Sequence, residues 1–268
     1  MKNKLKLKAA ARQTGSFRAE GNEIMLYGVI GSYWEELDAQ KIVKHIKGLK
    51  GDVTVKINSP GGDVFDGIAI MNALKAHDGK VIIVVDGIAA SIASVIAMAG
   101  STIRMAEGAF LMIHNPWTIA MGDATEFRHT AGVLDQITET LVGIYSRKTG
   151  KAADEVKAMM NAETWISGVE AVELGFADLT DEQAAEVSNF DLSVFNNVPE
   201  PLRIAAQAAK PGTIRDLEKI LHSAGFSRSE AKAVASGGFG ALTQREADAE
   251  INSEKLAAAI ENRRSAFN

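Results

Sequence analysis

Cysteine is absent from this chain, so a thiol nucleophile, a disulfide and a thiolate metal site are excluded together, and covalent catalysis would fall to serine. Ser91 has the most informative surroundings. It follows the apolar run VIIVV (81–85), the turn-like Asp86-Gly87-Ile88 and two alanines, and it opens the segment SIASVIAMA. A side chain between a strand and a helix is held at the carboxyl end of the strand, where α/β sheets place their sites. The helix N-terminus behind it favours developing negative charge. Small neighbours at Ala89, Ala90 and Ala93 leave room for a substrate backbone. A plain helix-capping role for Ser91 fits the same pattern. Asn58-Ser59-Pro60-Gly61-Gly62 offers exposed backbone N–H groups for an oxyanion or a phosphate, or is simply a tight turn. His114, in Met112-Ile113-His114-Asn115-Pro116, ends an apolar run and is the best placed of the histidines to serve as a base; a structural role is its alternative. Glu163, ahead of Thr164-Trp165-Ile166-Ser167-Gly168, either orients an imidazole or caps a helix.

These residues need a scaffold, and its pattern alternates. IMLYGVI (24–30), VTVKIN (53–58), VIIVV (81–85), TIRM (102–105) and FLMI (110–113) read as strands. Helical spacing runs through Leu37, Ile42, Val43 and Ile46, and again through Val64, Ile68, Met71 and Leu74. A further helix begins near Ser91, a long one covers 123–148, and a short one covers 168–176. This order predicts an α/β fold with a largely parallel sheet. The acidic segment 181–212, with Pro199 and Pro201, reads as a linker, and 213–242 as two short helices of a small C-terminal extension spanning 213–268.

Composition narrows the function. The chain has 268 residues, 46% of them hydrophobic and 24% charged, with a net charge of −5. That argues against a nucleic-acid binder held mainly by phosphate contacts. Lys2, Lys4, Lys6, Lys8 and Arg12 make residues 1–20 a basic arm, either solvated or in contact with a partner, and without the apolar stretch of a secretory signal. The apolar run 88–99 is too short to span a bilayer, so no membrane partner and a soluble cytoplasmic protein are the expectation.

The blocks INSPGG, DGIAASIASVIAMAG, MIHNP and ETWISGVEAVELGFAD stand in the order and approximate spacing of the ClpP family, the proteolytic subunits of Clp protease. The resemblance covers roughly residues 22–180, and it implies a ClpP/crotonase-like fold of stacked ββα units with a long handle helix over 21–180. By position, it implies Ser91 as nucleophile, His114 as general base and Glu163 as the third triad member, where the family usually has aspartate. It also puts Gly61, Gly62 and Ile92 at the oxyanion and substrate-binding positions, with Gly62 and Ile92 giving the N–H groups. Asp123, Asp154 and Asp178 are the other carboxylates to weigh for the triad. No metal or organic cofactor is implied. The expected activity is a serine endopeptidase on polypeptide substrates, assembled as a homo-oligomeric ring. The ETW block and the tail SRSEAKAVASGGF resemble ClpP-related phage head maturation proteases, which implies scaffold and capsid substrates in the host cytoplasm or prohead. The alternatives are a Clp proteolytic subunit beside an AAA+ ATPase, since no GxxxxGK[ST] run gives this chain its own ATP site, and an inactive assembly protein. Crotonase-like thioester enzymes rely on carboxylates, which the pairing of Ser91 with His114 disfavours.

Overall fold

The computed structural model describes residues 16–31, 37–184, 190, 192 and 194–203, with isolated positions at 218, 232 and 234–236. Residues up to Ala209 form one compact unit, and Lys210–Asn268 form another. The paired-helix reading of 213–242 lies almost wholly outside the described residues.

The strands are β1 (Ser16–Glu20), β2 (Glu23–Tyr27), β3 (Val53–Ser59), β4 (Val81–Ala90), β5 (Thr102–Glu107), β6 (Phe110–Ile113), β7 (Thr164–Ser167) and β8 (Leu179–Ala184). The helices are α1 (Ala39–Gly48), α2 (Val64–Lys75), α3 (Ile92–Ala97), α4 (Ala124–Thr149), α5 (Ala153–Asn161) and α6 (Gly168–Glu173). The sheet runs β1-β2-β3-β4-β5-β8, and β6 and β7 branch from β4. Pairing from β2 through β5 to β8 is parallel, as the alternation of strand and helix requires. β1 joins β2 as an antiparallel hairpin, so the last residues of the stretch read as a basic arm, 16–20, belong to the sheet.

β4 is buried along nearly its whole length and acts as the central strand. Its first half pairs with β5 from Ile82 to Val85, and its last residues pair with β6 from Ile88 to Ala90. Asp86-Gly87-Ile88 is therefore not a turn ending the strand; the strand continues to Ala90 and meets Ser91 directly. The adjustment is made against β3, where Ile57 faces Val85 but Ser59 faces Ala89. Asn58 supports this shift by accepting the Ile88 N–H on Oδ1 at 3.3 Å. Irregularities of this kind re-aim side chains beside active sites.

α4 has 26 residues and a capping box at Asp123 and Glu126, and Gly150 in the left-handed region (φ 74°) closes it. Its buried residues, Leu141, Val142, Ile144 and Tyr145, lie in the C-terminal half. α5, β7 and β8 occupy stretches that show no clear period in sequence. The proline-bearing segment is also more than a linker. Phe190, Leu192 and Val198 are buried with Ile88, and Phe110, Trp165, Phe195 and Leu202 pack around them. Among the described residues, no helix is long and apolar enough to cross a membrane.

Candidate active site

Strand register brings the site together. The Ser91 N–H donates to the Met112 carbonyl at 2.9 Å, which ties the residue after β4 to the strand leading into His114. β6 and β7 are antiparallel, with Met112 opposite Trp165 and Ile113 opposite Thr164. His114 directly follows β6 and Glu163 directly precedes β7, so both stand at the same end of this pairing. Residues more than seventy apart in the chain thus converge through two strand pairings, and no long loop is needed to carry them.

Ser91 Oγ lies 2.7 Å from His114 Nε2. That is hydrogen-bond distance for a hydroxyl donating to a neutral imidazole, the arrangement a nucleophile and base require. Ser91 has φ 56° and ψ −129°, a backbone conformation that non-glycine residues rarely adopt, and its side chain does not cap α3. The helix-capping role considered for Ser91 is thereby excluded. The backbone is held from beneath. Ser94 donates to the Ser91 carbonyl at 2.6 Å, and its hydroxyl lies 2.7 Å from the buried Tyr145 hydroxyl of α4. Glu163, at φ 48°, is the other non-glycine residue with positive φ among the described residues. Backbone strain therefore coincides with the two ends of the candidate triad.

Burial pushes the His114 imidazole below its ordinary range, and the Glu163 carboxylate opposes this by favouring the charged ring. Glu163 is only 8% exposed. Its Oε1 accepts the backbone N–H groups of Asn196 and Asn197, each at 2.7 Å, and Asn196 Nδ2 lies 3.3 Å from Oε2. The Trp165 indole N–H reaches Oε1 at 3.5 Å. Among the described residues, the carboxylate faces His114 through the electrostatic field and makes no hydrogen bond to it. The competing carboxylates are used elsewhere. Asp123 caps α4, Asp154 sits in the first turn of α5, and Asp178 accepts the Ile103 N–H at 2.7 Å.

The Gly61-Gly62 turn lies over Ser91. A Cβ on Gly61 (φ 100°) would come 2.7 Å from the Ser91 Cβ and 2.9 Å from the Ala90 oxygen, so only glycine allows this approach. The Gly61 N–H already donates to Ser59 Oγ at 3.1 Å. The Gly62 N–H has no acceptor among the described residues, and Ile92 N–H, first in its helix, has none within the helix. The Gly62 and Ile92 N–H groups, next to Gly61 and Ser91 in the chain, are therefore available as donors among the described residues, while Gly61 supplies clearance. The Ile92 side chain packs tightly on α2, where a Cβ on Gly67 would lie 2.2 Å from its Cγ1.

Sequence reading missed Phe195, Asn196 and Asn197. The Phe195 ring meets His114 edge-on, with centroids 5.6 Å apart, and meets Trp165 in the same way. The apolar residues Phe190, Leu192, Phe195 and Val198 were a usable signal, hidden by the acidic and proline-bearing residues around them.

A parallel-sheet α/β scaffold with a serine–histidine pair at the end of its central strand defines the class of protein. Residues 21–183 match the sequence model of the Clp protease family. The chain belongs to that family. It is 32% identical over 129 residues to an ATP-dependent Clp protease proteolytic subunit of Bacteroides fragilis, a match covering 47% of this chain and 62% of that protein. The chain thus spans about three fifths of that relative's length. It is 29% identical over 155 residues to ATP-dependent Clp protease proteolytic subunit 1 of Leifsonia xyli subsp. xyli, covering 57% of this chain and 79% of that protein. Among solved structures, a point mutant of ClpP1 from Listeria monocytogenes superposes with a TM-score of 0.54 at 23% identity, over 61% of this chain and 92% of the other. That likeness establishes the ClpP fold expected from the sequence. None of these names refers to phage head maturation.

Proposed function

We propose that the chain is a serine endopeptidase. Ser91 attacks the peptide carbonyl while His114 takes its proton at Nε2. The Gly62 and Ile92 N–H groups hold the oxyanion. His114 then protonates the leaving amine, and water repeats the cycle against the acyl-enzyme. Glu163 stabilises the imidazolium that forms in each half-reaction. The single observation that carries this reading is the 2.7 Å contact between Ser91 Oγ and His114 Nε2. A fluorophosphonate should label Ser91 in the wild type, as located by peptide mass spectrometry. Ser91→Ala should lose labelling and lower peptide hydrolysis by about 10⁴ or more. Turnover unchanged in that variant would reject Ser91 as the nucleophile, and a wild type that neither takes the probe nor hydrolyses peptide would point to the inactive assembly role instead.

The narrower setting is a separate step. A proteolytic subunit working beside an AAA+ ATPase follows the names of the relatives. A head maturation protease acting on scaffold and capsid proteins follows the wording of the Glu163–Trp165 block and the chain beyond residue 183, which the family match does not cover. We favour the maturation role on that second ground. Its test is coexpression with phage scaffold and capsid proteins: cleavage without any ATPase supports it, and degradation only with an unfoldase supports the Clp-subunit role.

A further inference from the structure

The family match ends at residue 183, yet the described residues from 190 to 203 return to the site. Three independent contacts make the return. Phe195 stands edge-on to the His114 ring, the Asn196 and Asn197 backbone amides close on the Glu163 carboxylate, and the Asn197 side chain donates to the Ala162 carbonyl at 2.7 Å. Buried Leu192 and Val198 anchor the segment on both sides of these residues.

We propose that Leu192 and residues 194–198 form a positioning strap for the base, in which Phe195 covers the imidazole of His114 while the Asn196 and Asn197 amides clamp Glu163. The inference rests on the serine-peptidase reading. It assigns positioning roles to residues that lie beyond the matched family region and touch neither Ser91 nor a place where substrate would react.

The physical case has two parts. A carboxylate held by two backbone N–H groups cannot turn away from the ring it faces, and its remaining freedom is small. An aromatic edge against the imidazole excludes water from that side, and burial is the main cause of the lowered His114 pKa. Glu163 is the charged group that acts on His114. Phe195, Asn196 and Asn197 bring no charge, and among the described residues of the segment Glu200 and Arg203 pair with each other at 3.3 Å.

The strap makes a prediction of definite sign. Phe195→Ala admits water to His114 and relieves the penalty on its charged form, so the ring holds its proton to higher pH. The acidic limb of fluorophosphonate labelling at Ser91, followed in the full chain, should move to higher pH. The rate on the plateau should fall between about tenfold and a hundredfold from looser placement of the base. Phe195→Leu restores an apolar cover and should return the profile close to that of the wild type. Hydrogen exchange on the wild type supplies a second test that needs no variant: the Asn196 and Asn197 amides should be protected, and Glu163→Ala should release them. An unchanged pH profile and rate in Phe195→Ala would overturn the proposal. So would faster labelling, which would make the segment an obstruction, and so would unprotected amides in the wild type. Failure of the wild type to label at Ser91 would instead remove the serine-peptidase reading beneath it.

Discussion

Glu163 is the residue whose role the geometry makes most testable. It raises the His114 pKa against the stronger effect of burial, and it does so across space. Glu163→Gln removes that charge, so the imidazole should lose its proton at lower pH. The acidic limb of kcat/KM should then move down, opposite to the shift expected for Phe195→Ala. Efficiency should fall as well, because the imidazolium formed during attack loses its counter-charge; the loss could reach about 10⁴ if the amide also fixes the wrong tautomer. A pH–rate series on a peptide substrate measures both, and an upward shift would contradict the assignment. Ser91 and His114 were legible as candidates because each sits beside a short apolar run that marks a strand end, and the family resemblance singled them out. Glu163 was legible mainly through resemblance, since a lone carboxylate before a helix has many uses. The strained backbone of Ser91 and Glu163 was not legible at all, because φ is set by the strand register and by the buried Ser94–Tyr145 pair, not by local propensity.

At the scale of elements, the β4 fork and the α2–α3 contact carry the site. Gly67 sits within α2, where alanine would ordinarily gain about 1 kcal/mol in helix propensity. Here the added Cβ would meet Ile92 Cγ1 at 2.2 Å, and a β-branched side chain has little freedom to yield. Overpacking of this kind costs about 1–3 kcal/mol, so Gly67→Ala should lower Tm despite the better propensity. It should also slow fluorophosphonate labelling, because Ile92 moves with the start of α3 and takes its N–H away from Ser91. A higher Tm with normal labelling would show that the contact is softer than the geometry implies. The main strands and α4 were readable from period and length. β7, β8 and α5 were not, since β7 is a four-residue strand and α5 a nine-residue helix, and their pairing partners lie far along the chain. Asp86-Gly87 has the composition of a turn, and tertiary pairing with β6 keeps it extended.

For the whole molecule, the first half of α4 and the residues before it leave large apolar side chains exposed. Trp117, Ile119, Met121, Phe127 and Val133 are all exposed, with Met121 at 87%. They lie in or just before the first half of α4, ahead of its buried residues. Large apolar side chains left exposed in one stretch of chain are candidates for an interface. A ring-like homo-oligomer burying this helix against a symmetry mate is the expected state. Light scattering at micromolar concentration should show it, and Met121→Asp combined with Phe127→Asp should reduce its mass. A monomeric wild type that keeps full activity would contradict the expectation.

The tie between Glu163 and Asn196–Asn197 also has a consequence in time. A ribosome delivers Ser91 first, then His114, then Glu163, and only some thirty residues later the amides that close on the carboxylate. At about 5–20 residues per second that interval is a few seconds, to which the length of the exit tunnel adds a further wait. A nascent chain therefore carries Ser91 and His114 before it carries the amides that close on Glu163. Under the proposed function, the clamp on Glu163 becomes available only once Asn197 has been made, so a nascent chain passes through an interval in which Ser91 and His114 are present without it.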